Sequence, residues 1–312
     1  MRKIIAIPAL VLGGVVALGA ALVGSGAFAF DAVSEPVIWM KDIADGKKLS
    51  EISIPGSHDS GARYSIGDLA GKCNDLSIAQ QLDSGARFLD LRLQLRGKSL
   101  HVVHGFVDQK LSGREVFSSI NKFLNKNPSE TILLSVKEES DPKNPTTSFE
   151  EALSNEASGI FGERWDTSTT LPTTLGEARG KVILLSRYSN STIGVPCFEG
   201  WVDNPSAAFD LPNGIHVQDC YKLPDCETKK SKVDECLAYS ASNATSSVSP
   251  LVLNFFSGYL ASGFPPSYSV PVAKEMNPYA LTVVPEYSCA GVCIFDFVSP
   301  KLCQTVIKRN AL

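Results

Sequence analysis

Short apolar segments alternate with segments of helical periodicity along most of this 312-residue chain. The clearest strand runs from Arg87 to Leu95, where leucines fill every second position and Asp90 and Arg92 fall between them. Successive side chains of a strand point to opposite faces, so the leucines form one face while Asp90 and Arg92 share the other. The apolar face suits a cover of helices, and the polar face suits a functional site.

The segment from Gly113 to Asn125 carries apolar residues at helical spacing, and Asn127-Pro128 predicts its end. Further apolar runs predict strands at 131–137, 181–187, 216–221, 251–256 and 292–297. Strands that alternate with helices over a length typical of barrel enzymes predict an α/β fold. We expect a single TIM-type (β/α) barrel that is distorted or incompletely closed.

Composition narrows the function only slightly. The chain is 44% hydrophobic and 20% charged, with a formal net charge of -4, which is ordinary for a globular protein. A nucleic-acid-binding protein usually presents a basic face, so we expect no nucleic-acid partner. We also expect a monomer.

The first residues have the pattern of a secretory signal peptide. Arg2 and Lys3 precede an uncharged apolar run over residues 4–23, and Ala27-Phe28-Ala29 offers a cleavage site. We therefore expect residues 1–29 to be a signal peptide, residues 30–312 to be the barrel, and the protein to be secreted. The alternative is an uncleaved membrane anchor, because the run is long enough to span a bilayer.

The cysteines are consistent with export. There are eight, and seven lie in the second half of the chain, so we expect at least two disulfides there, with the pairing left open. Zinc is not expected among those seven, since no Cys-x-x-Cys pair occurs. Asn190-Ser191-Thr192 and Asn243-Ala244-Thr245 are acceptors for N-glycosylation, which predicts a glycoprotein.

Chemically active side chains recur where apolar runs end. A loop of Pro, Gly and Ser, residues 54–61, presents His58 and Asp59 side by side, and His104 follows another apolar run. In a barrel the carboxyl ends of the strands meet at one mouth. That mouth would gather two histidines, three cations and several carboxylates, a set suited to a phosphate ester that carries hydroxyl groups: His58, Arg92, His104, Lys137, Arg187, Asp219 and Asp296.

Several of these segments, in this order, resemble a known family. The chain is similar to the bacterial-type, metal-independent phosphatidylinositol-specific phospholipases C of the X-domain family. The resemblance is carried by IPGSHDSG, GARFLDLRLQL, VVHG, NKNPSETILLSVK, ARGKVILLSRYS, VQDCYKL and a late aspartate, Asp296. Val103 stands where the bacterial pattern usually has a second histidine.

The resemblance implies roles for five catalytic residues. His58 would be the general base that takes the proton of the inositol 2-hydroxyl, which then attacks phosphorus and displaces diacylglycerol. His104 would be the general acid that protonates the leaving oxygen. Arg92 would stabilise the charge that builds on the phosphate. Asp296 would orient His58, and Asp59 would support His104.

The resemblance also implies a substrate site. Residues that hold the inositol ring and its hydroxyls would be Asp90, Lys137, Arg187, Asp219 and Tyr221. The expected partner is phosphatidylinositol or glycosylphosphatidylinositol in a membrane surface. No cofactor and no metal are expected, because Arg92 puts a fixed cation where calcium-dependent relatives place acidic ligands.

Two other function classes remain open from the sequence. One is a metal-assisted glycerophosphodiester phosphodiesterase, which would need a cluster of acidic metal ligands. The other is a catalytically inactive lipid- or sugar-binding relative, although both histidines and their carboxylates are present. An uncharged aromatic segment from Phe255 to Tyr268 follows a predicted strand, and we expect it to form a membrane-contacting rim, which a substitution of Phe264 would test. The alternative is that its rings pack in the core.

Overall fold

The computed structural model describes residue 33 and residues 35–65, 71–246, 249–261 and 268–310. Its helices are α1 (Ile78–Asp83), α2 (Gly113–Lys126), α3 (Phe149–Phe161), α4 (Leu175–Ala178), α5 (Cys226–Asn243), α6 (Ser269–Val283) and α7 (Pro300–Ile307). Its longer strands and short bridging strands are β1 (Ile54–Ser57), β2 (Phe88–Arg96), β3 (Ser99–His104), β4 (Val107–Ser112), β5 (Ile132–Glu138), β6 (Trp165–Asp166), β7 (Val182–Arg187), β8 (Val195–Pro196), β9 (Phe209–Leu211), β10 (Ile215–Gln218), β11 (Lys222–Leu223), β12 (Leu251–Phe255), β13 (Tyr259–Leu260) and β14 (Val292–Phe295).

A curved sheet of parallel strands forms the centre of the molecule, in the order β7-β5-β2-β1-β14-β12-β10. An antiparallel hairpin, β3 and β4, extends from β2, and β9 pairs antiparallel with β10. In the described part of the chain no strand pairing joins the β7 side to the β10 side. The predicted barrel is therefore confirmed in its incompletely closed form.

The strands and the helix predicted from periodicity are all present, with ends that differ by a few residues. The leucine face of β2 packs under α2 and α3, where Leu91, Phe117 and Leu153 belong to one buried cluster. A second buried cluster joins the inner strand residues to α6 and α7. The division of β2 into an apolar outer face and a polar inner face is thus confirmed.

A capping box fixes the start of α2. The Ser112 hydroxyl accepts a hydrogen bond from the Glu115 backbone N–H, and the Glu115 carboxylate accepts one from the Ser112 backbone N–H. Two backbone N–H groups that the helix itself leaves unpaired are satisfied in this way. No helix in the described ranges is both long enough and apolar enough to cross a membrane.

A fully buried ion pair anchors the amino end of β2. The Arg87 Nη2 atom lies 2.7 Å from Glu130 Oε2, and both side chains are 0% exposed. Arg87 also donates to the backbone carbonyls of Leu82 and Val37, while Glu130 accepts from the Met40 backbone N–H. The pair therefore ties the amino-terminal segment and α1 to the strands that carry the site.

Removing one partner of this pair should destabilise the fold strongly. Glu130→Ala leaves the Arg87 charge buried without compensation, so we expect the free energy of unfolding to fall by about 3–5 kcal/mol. Urea unfolding followed by circular dichroism measures it. The control is Glu235→Ala, which removes an exposed ion pair with Lys232 and should cost less than about 1 kcal/mol. Equal losses in both variants would contradict this role.

Candidate active site

The sequence-predicted residues meet at the carboxyl ends of the parallel strands, around a cavity of about 980 Å³. Eight of them line its wall: His58, Arg92, His104, Lys137, Arg187, Asp219, Tyr221 and Asp296. Asp59 and Asp90 lie directly beneath, and both are fully buried. All ten predicted site residues are therefore gathered in one place, and their individual roles stay predictions.

His58 and Asp296 form a close pair across two neighbouring strands. His58 follows β1, and its backbone N–H donates to the Phe295 carbonyl at 2.9 Å, which aligns the ends of β1 and β14. The His58 Nδ1 atom then lies 2.7 Å from Asp296 Oδ1. The carboxylate is buried, so the imidazole ring is held in one orientation.

Arg92 selects the tautomer of His58. Its Nη2 atom lies 2.8 Å from His58 Nε2. A guanidinium can only donate hydrogen bonds, so Nε2 must accept, and the proton of the neutral ring sits on Nδ1 and is donated to Asp296. The Nε2 lone pair therefore accepts from Arg92, and it can take a proton from another group only when this donor moves away.

The pKa of His58 is set by opposing effects. Burial alone would lower it, but the nearby Asp296 carboxylate more than offsets burial, and the pKa of His58 is raised above its usual value. Arg92 opposes this increase, and Asp90 supports it.

The guanidinium of Arg92 is surrounded by carboxylates. Its Nη2 lies 3.2 Å from Asp90 Oδ2, its Nη1 lies 3.5 Å from Glu139 Oε1, and its Nε lies 3.8 Å from Asp59 Oδ2. Burial would raise the pKa of Asp90, but Arg92 and Arg187 together hold it well below its usual range. Burial would also raise the pKa of Glu139, but Arg92 and Lys137 lower this pKa to about 2. Asp90 and Glu139 therefore stay ionised.

Strand register places three cations in a single row. Arg92 of β2 is the direct neighbour of Lys137 of β5, and Lys137 is the direct neighbour of Arg187 of β7. Asp90 lies in the layer beneath and accepts from Arg187 Nη1 at 3.3 Å. The row gives one wall of the cavity a positive surface suited to phosphate and to hydroxyl oxygens.

His104 and Asp59 form a looser pair. His104 ends β3, and its Nδ1 atom lies 3.5 Å from Asp59 Oδ2. Asp59 has a φ of 40°, which turns the chain sharply after His58. Neither Asp59 carboxylate oxygen accepts a hydrogen bond from the described residues. Burial raises the pKa of Asp59, although His104 and Arg92 oppose the increase.

The part of the cavity wall next to Arg187 is aromatic and acidic. The guanidinium carbon of Arg187 lies 3.6 Å from the centre of the Trp201 ring, whose Nε1 donates to Asp219 Oδ2 at 3.1 Å. The Tyr221 hydroxyl donates to Asp203 at 2.7 Å. These contacts hold flat rings and carboxylates where a polyhydroxylated ring could bind.

Three of these residues were not predicted from the sequence. Glu139 had a usable signal, because it follows Lys137 by two positions and strand alternation puts both on one side. Trp201 and Asp203 lie in the connection between β8 and β9, which has no periodicity. Nothing in the sequence pattern identifies which of its residues face the cavity.

Two expectations are corrected by the structure. All eight cysteines are free thiols, and seven are buried as small apolar side chains, so the predicted disulfides are not formed. Phe255 and Phe256 are buried in the core rather than exposed on a rim. Phe264 and the predicted signal peptide lie outside the described residues.

The fold and the site together define an α/β-barrel protein whose acid–base groups are built around a fixed cation. The model of the phosphatidylinositol-specific phospholipase C X domain matches residues 47–188. A 1-phosphatidylinositol phosphodiesterase of Listeria monocytogenes is 30% identical over 286 residues, which cover 87% of this chain and 84% of that protein. One of Staphylococcus aureus strain Newman is 30% identical over 275 residues, covering 81% and 85%.

Solved structures show the same fold. A pentafluoro-Phe-incorporated phosphatidylinositol-specific phospholipase C from Staphylococcus aureus superposes with a TM-score of 0.78 at 27% identity, covering 90% of this chain and 100% of that chain. The Listeria monocytogenes enzyme gives a TM-score of 0.67 at 24% identity, covering 87% and 97%. The chain belongs to the phosphatidylinositol-specific phospholipase C family.

The Asp296 contact should be visible in the titration of His58. We expect His58 to lose its proton above the usual pKa of ~6.5, and Asp296→Asn to lower that pKa because the desolvation and the Arg92 charge remain. Histidine Cε1–H signals followed by NMR from pH 5 to 9 measure both values, with His58→Ala to assign the signal. A midpoint unchanged by Asp296→Asn would disprove the assignment.

Proposed function

We propose that this protein is a phosphatidylinositol phosphodiesterase that cleaves phosphatidylinositol or glycosylphosphatidylinositol to diacylglycerol and inositol 1,2-cyclic phosphate. The observation that carries the proposal is the arrangement at His58. Asp296 holds Nδ1, and Arg92 donates to Nε2, so the base and the phosphate-binding cation are already in contact. The curated relatives named 1-phosphatidylinositol phosphodiesterase support the substrate class.

The first step uses His58 and Arg92. His58 Nε2 takes the proton of the inositol 2-hydroxyl, and the resulting oxygen attacks the neighbouring phosphorus. Because the nucleophile belongs to the substrate, no enzyme nucleophile and no water are needed at this step. Arg92 turns its Nη2 donor from His58 to the phosphate oxygens, where a planar guanidinium binds two oxygens at once. Asp296 stabilises the imidazolium that forms.

The second histidine of the mechanism is His104. It donates a proton to the leaving oxygen of diacylglycerol, and Asp59 stabilises the charged ring beforehand. The 3.5 Å separation of His104 and Asp59 is consistent with this role, because catalytic hydrogen bonds are often long before substrate binds.

The rest of the cavity recognises the inositol ring. Lys137 and Arg187 of the cationic row donate to ring hydroxyls. Asp90 and Asp219 accept hydrogen bonds from the hydroxyls or orient the two cations. Tyr221 offers an aromatic surface to the ring. Trp201, Glu139 and Asp203 join this set because they line the cavity or bond directly to those residues.

A fixed cation takes the place of a catalytic metal in this scheme. Arg92 is ionised at all working pH values and is already paired with Asp90 and Glu139. It can therefore neutralise the phosphate without a bound ion, and we propose that no metal and no cofactor are required.

The substrate requires contact with a membrane surface. Three aromatic residues of the cavity wall are exposed at its mouth: Phe106 is 87% exposed, Phe198 is 49% exposed and Tyr268 is 41% exposed. Aromatic rings partition into the membrane interface. We propose that this aromatic rim, Phe106, Phe198 and Tyr268, rests on the bilayer while the headgroup enters the cavity.

We propose further that the protein is secreted. The support is the amino-terminal sequence pattern and the two glycosylation acceptors. Asn190 stands in an exposed turn of the structure, where an acceptor is accessible.

Acid–base catalysis by the two histidines is tested by turnover of phosphatidylinositol vesicles in excess EDTA, with the cyclic phosphate measured by ³¹P NMR. His58→Ala and His104→Ala should each lower the rate by about 10²–10⁴. His101→Ala, on the same strand as His104, should leave it near the wild-type value. Near-normal turnover by His58→Ala, or loss of wild-type activity in EDTA, would refute the mechanism.

Changes in the aromatic rim should lower activity on vesicles and leave activity on a soluble substrate unchanged. Phe106→Ser should weaken vesicle binding and vesicle turnover, because an exposed ring no longer enters the interface. Phe106→Trp should retain both, since tryptophan favours the same interface. Vesicle co-sedimentation and turnover of a soluble inositol phosphodiester separate the effects. Equal losses on the two substrates would mean that Phe106 supports the cavity instead.

A further inference from the structure

One buried cysteine lies between the two histidine–aspartate pairs and has no role in the mechanism above. Cys73 is 1% exposed, and its Sγ atom lies 3.7 Å from His104 Nδ1. The ligand atoms of Cys73, His104 and Asp59 all lie within 4.8 Å of one another. Cys73 also belongs to a second such group, with His58 and Asp296.

Two of the three ligand-atom separations in the first group are close to those of a zinc site. Zinc bonds of about 2.3 Å to sulfur and about 2.0–2.1 Å to nitrogen or oxygen, at tetrahedral angles, put neighbouring ligand atoms about 3.3–3.6 Å apart. The measured separations are 3.7 Å from His104 Nδ1 to Cys73 Sγ and 3.5 Å from His104 Nδ1 to Asp59 Oδ2. An ion could bind with small movements of three side chains.

The Asp59 carboxylate provides an independent indication of a ligand. It is fully buried, and neither oxygen accepts a hydrogen bond from the described residues. A buried ionised carboxylate that accepts no hydrogen bond is costly, and a cation bound directly to its oxygens would lower that cost. The second group is less suited to a metal, because both ring nitrogens of His58 are already hydrogen-bonded, Nδ1 to Asp296 and Nε2 to Arg92.

The donor set selects the kind of metal. One sulfur, one imidazole nitrogen and one carboxylate oxygen suit zinc and similar thiophilic ions, whereas magnesium and calcium prefer oxygen ligands alone. The Arg92 guanidinium lies 3.8 Å from Asp59 Oδ2 and will weaken binding. Its charge is shared with Asp90 and Glu139, so the surroundings remain acidic enough to hold a cation.

We propose that Cys73, His104 and Asp59 form an inhibitory site for Zn²⁺ that regulates the activity proposed above. The ion replaces the thiol proton of Cys73 and binds the Nδ1 lone pair of neutral His104. A metal-bound ring cannot take a second proton at Nδ1, and Asp59 is no longer available to stabilise an imidazolium. The general acid is thereby removed, while His58 and Arg92 are left in place.

Inhibition is tested first. After EDTA is removed, Zn²⁺ should inhibit turnover reversibly, and Mg²⁺ or Ca²⁺ at the same concentration should not. Cys73→Ser should raise the half-inhibiting Zn²⁺ concentration by at least about 10–100-fold, each variant being compared with its own activity in EDTA. The matched control is Cys197→Ser, which removes another buried cavity cysteine and should leave zinc sensitivity unchanged.

Binding is tested separately, without any use of activity. Co²⁺ added to the protein should give a near-ultraviolet thiolate-to-cobalt absorption band in wild type, Cys197→Ser and His58→Ala. Cys73→Ser, Cys73→Ala and His104→Ala should lack the band, with folding checked by circular dichroism. A band that persists in both Cys73 variants, no band in wild type, or equal zinc sensitivity of wild type and Cys73→Ser would overturn the proposal. If the chain proved inactive on phosphatidylinositol, the cobalt result would still decide the site.

Discussion

The guanidinium of Arg92 fixes the arrangement of the groups around it. It contacts His58 on one side and Asp90, Glu139 and Asp59 on the others. Burying a cation costs several kcal/mol unless it is paired, and these carboxylates supply the pairing. In return, the cation keeps the pKa of Asp90 low and sets the tautomer of His58. Each group in this part of the site is held in its charge state by another.

Strand register connects this electrostatic arrangement to the core. Arg92, Lys137 and Arg187 are direct neighbours across three strands, an arrangement that repulsion between like charges would disfavour. Carboxylates beneath and beside the row offset that repulsion. A shift of one residue in β2 would exchange its leucine face with its polar face. The packing of Leu91 under α2 and α3 therefore also specifies where the positive row stands.

The sequence predicted those strands and helices in which apolar residues recur at regular spacing. Alternation in β2 identified Asp90 and Arg92 as inward residues, and ends of apolar runs identified both histidines. Trp201 could not be found, because its connection is positioned by tertiary contacts with Arg187 and Asp219 rather than by local pattern. Aromatic richness did not distinguish core from rim: Phe255 is buried and meets the His58 ring edge-on at 6.2 Å. Cysteine number likewise predicted bridges where the structure has packed thiols.

The two histidine–aspartate pairs differ in a way that matches their proposed tasks. His58 and Asp296 are 2.7 Å apart and hydrogen-bonded, so the base is in its working tautomer before substrate arrives. Asp59 is buried with neither oxygen bonded by the described residues, and burial raises its pKa. A buried carboxylate that accepts no hydrogen bond lowers stability, and the Arg92 Nε atom, 3.8 Å from Asp59 Oδ2, offsets this cost without forming a hydrogen bond. A cation in direct contact would stabilise Asp59 further. In the proposed mechanism the imidazolium of His104 is such a cation. The proposed zinc ion would bind at the same carboxylate, because neither of its oxygens accepts a hydrogen bond from the described residues.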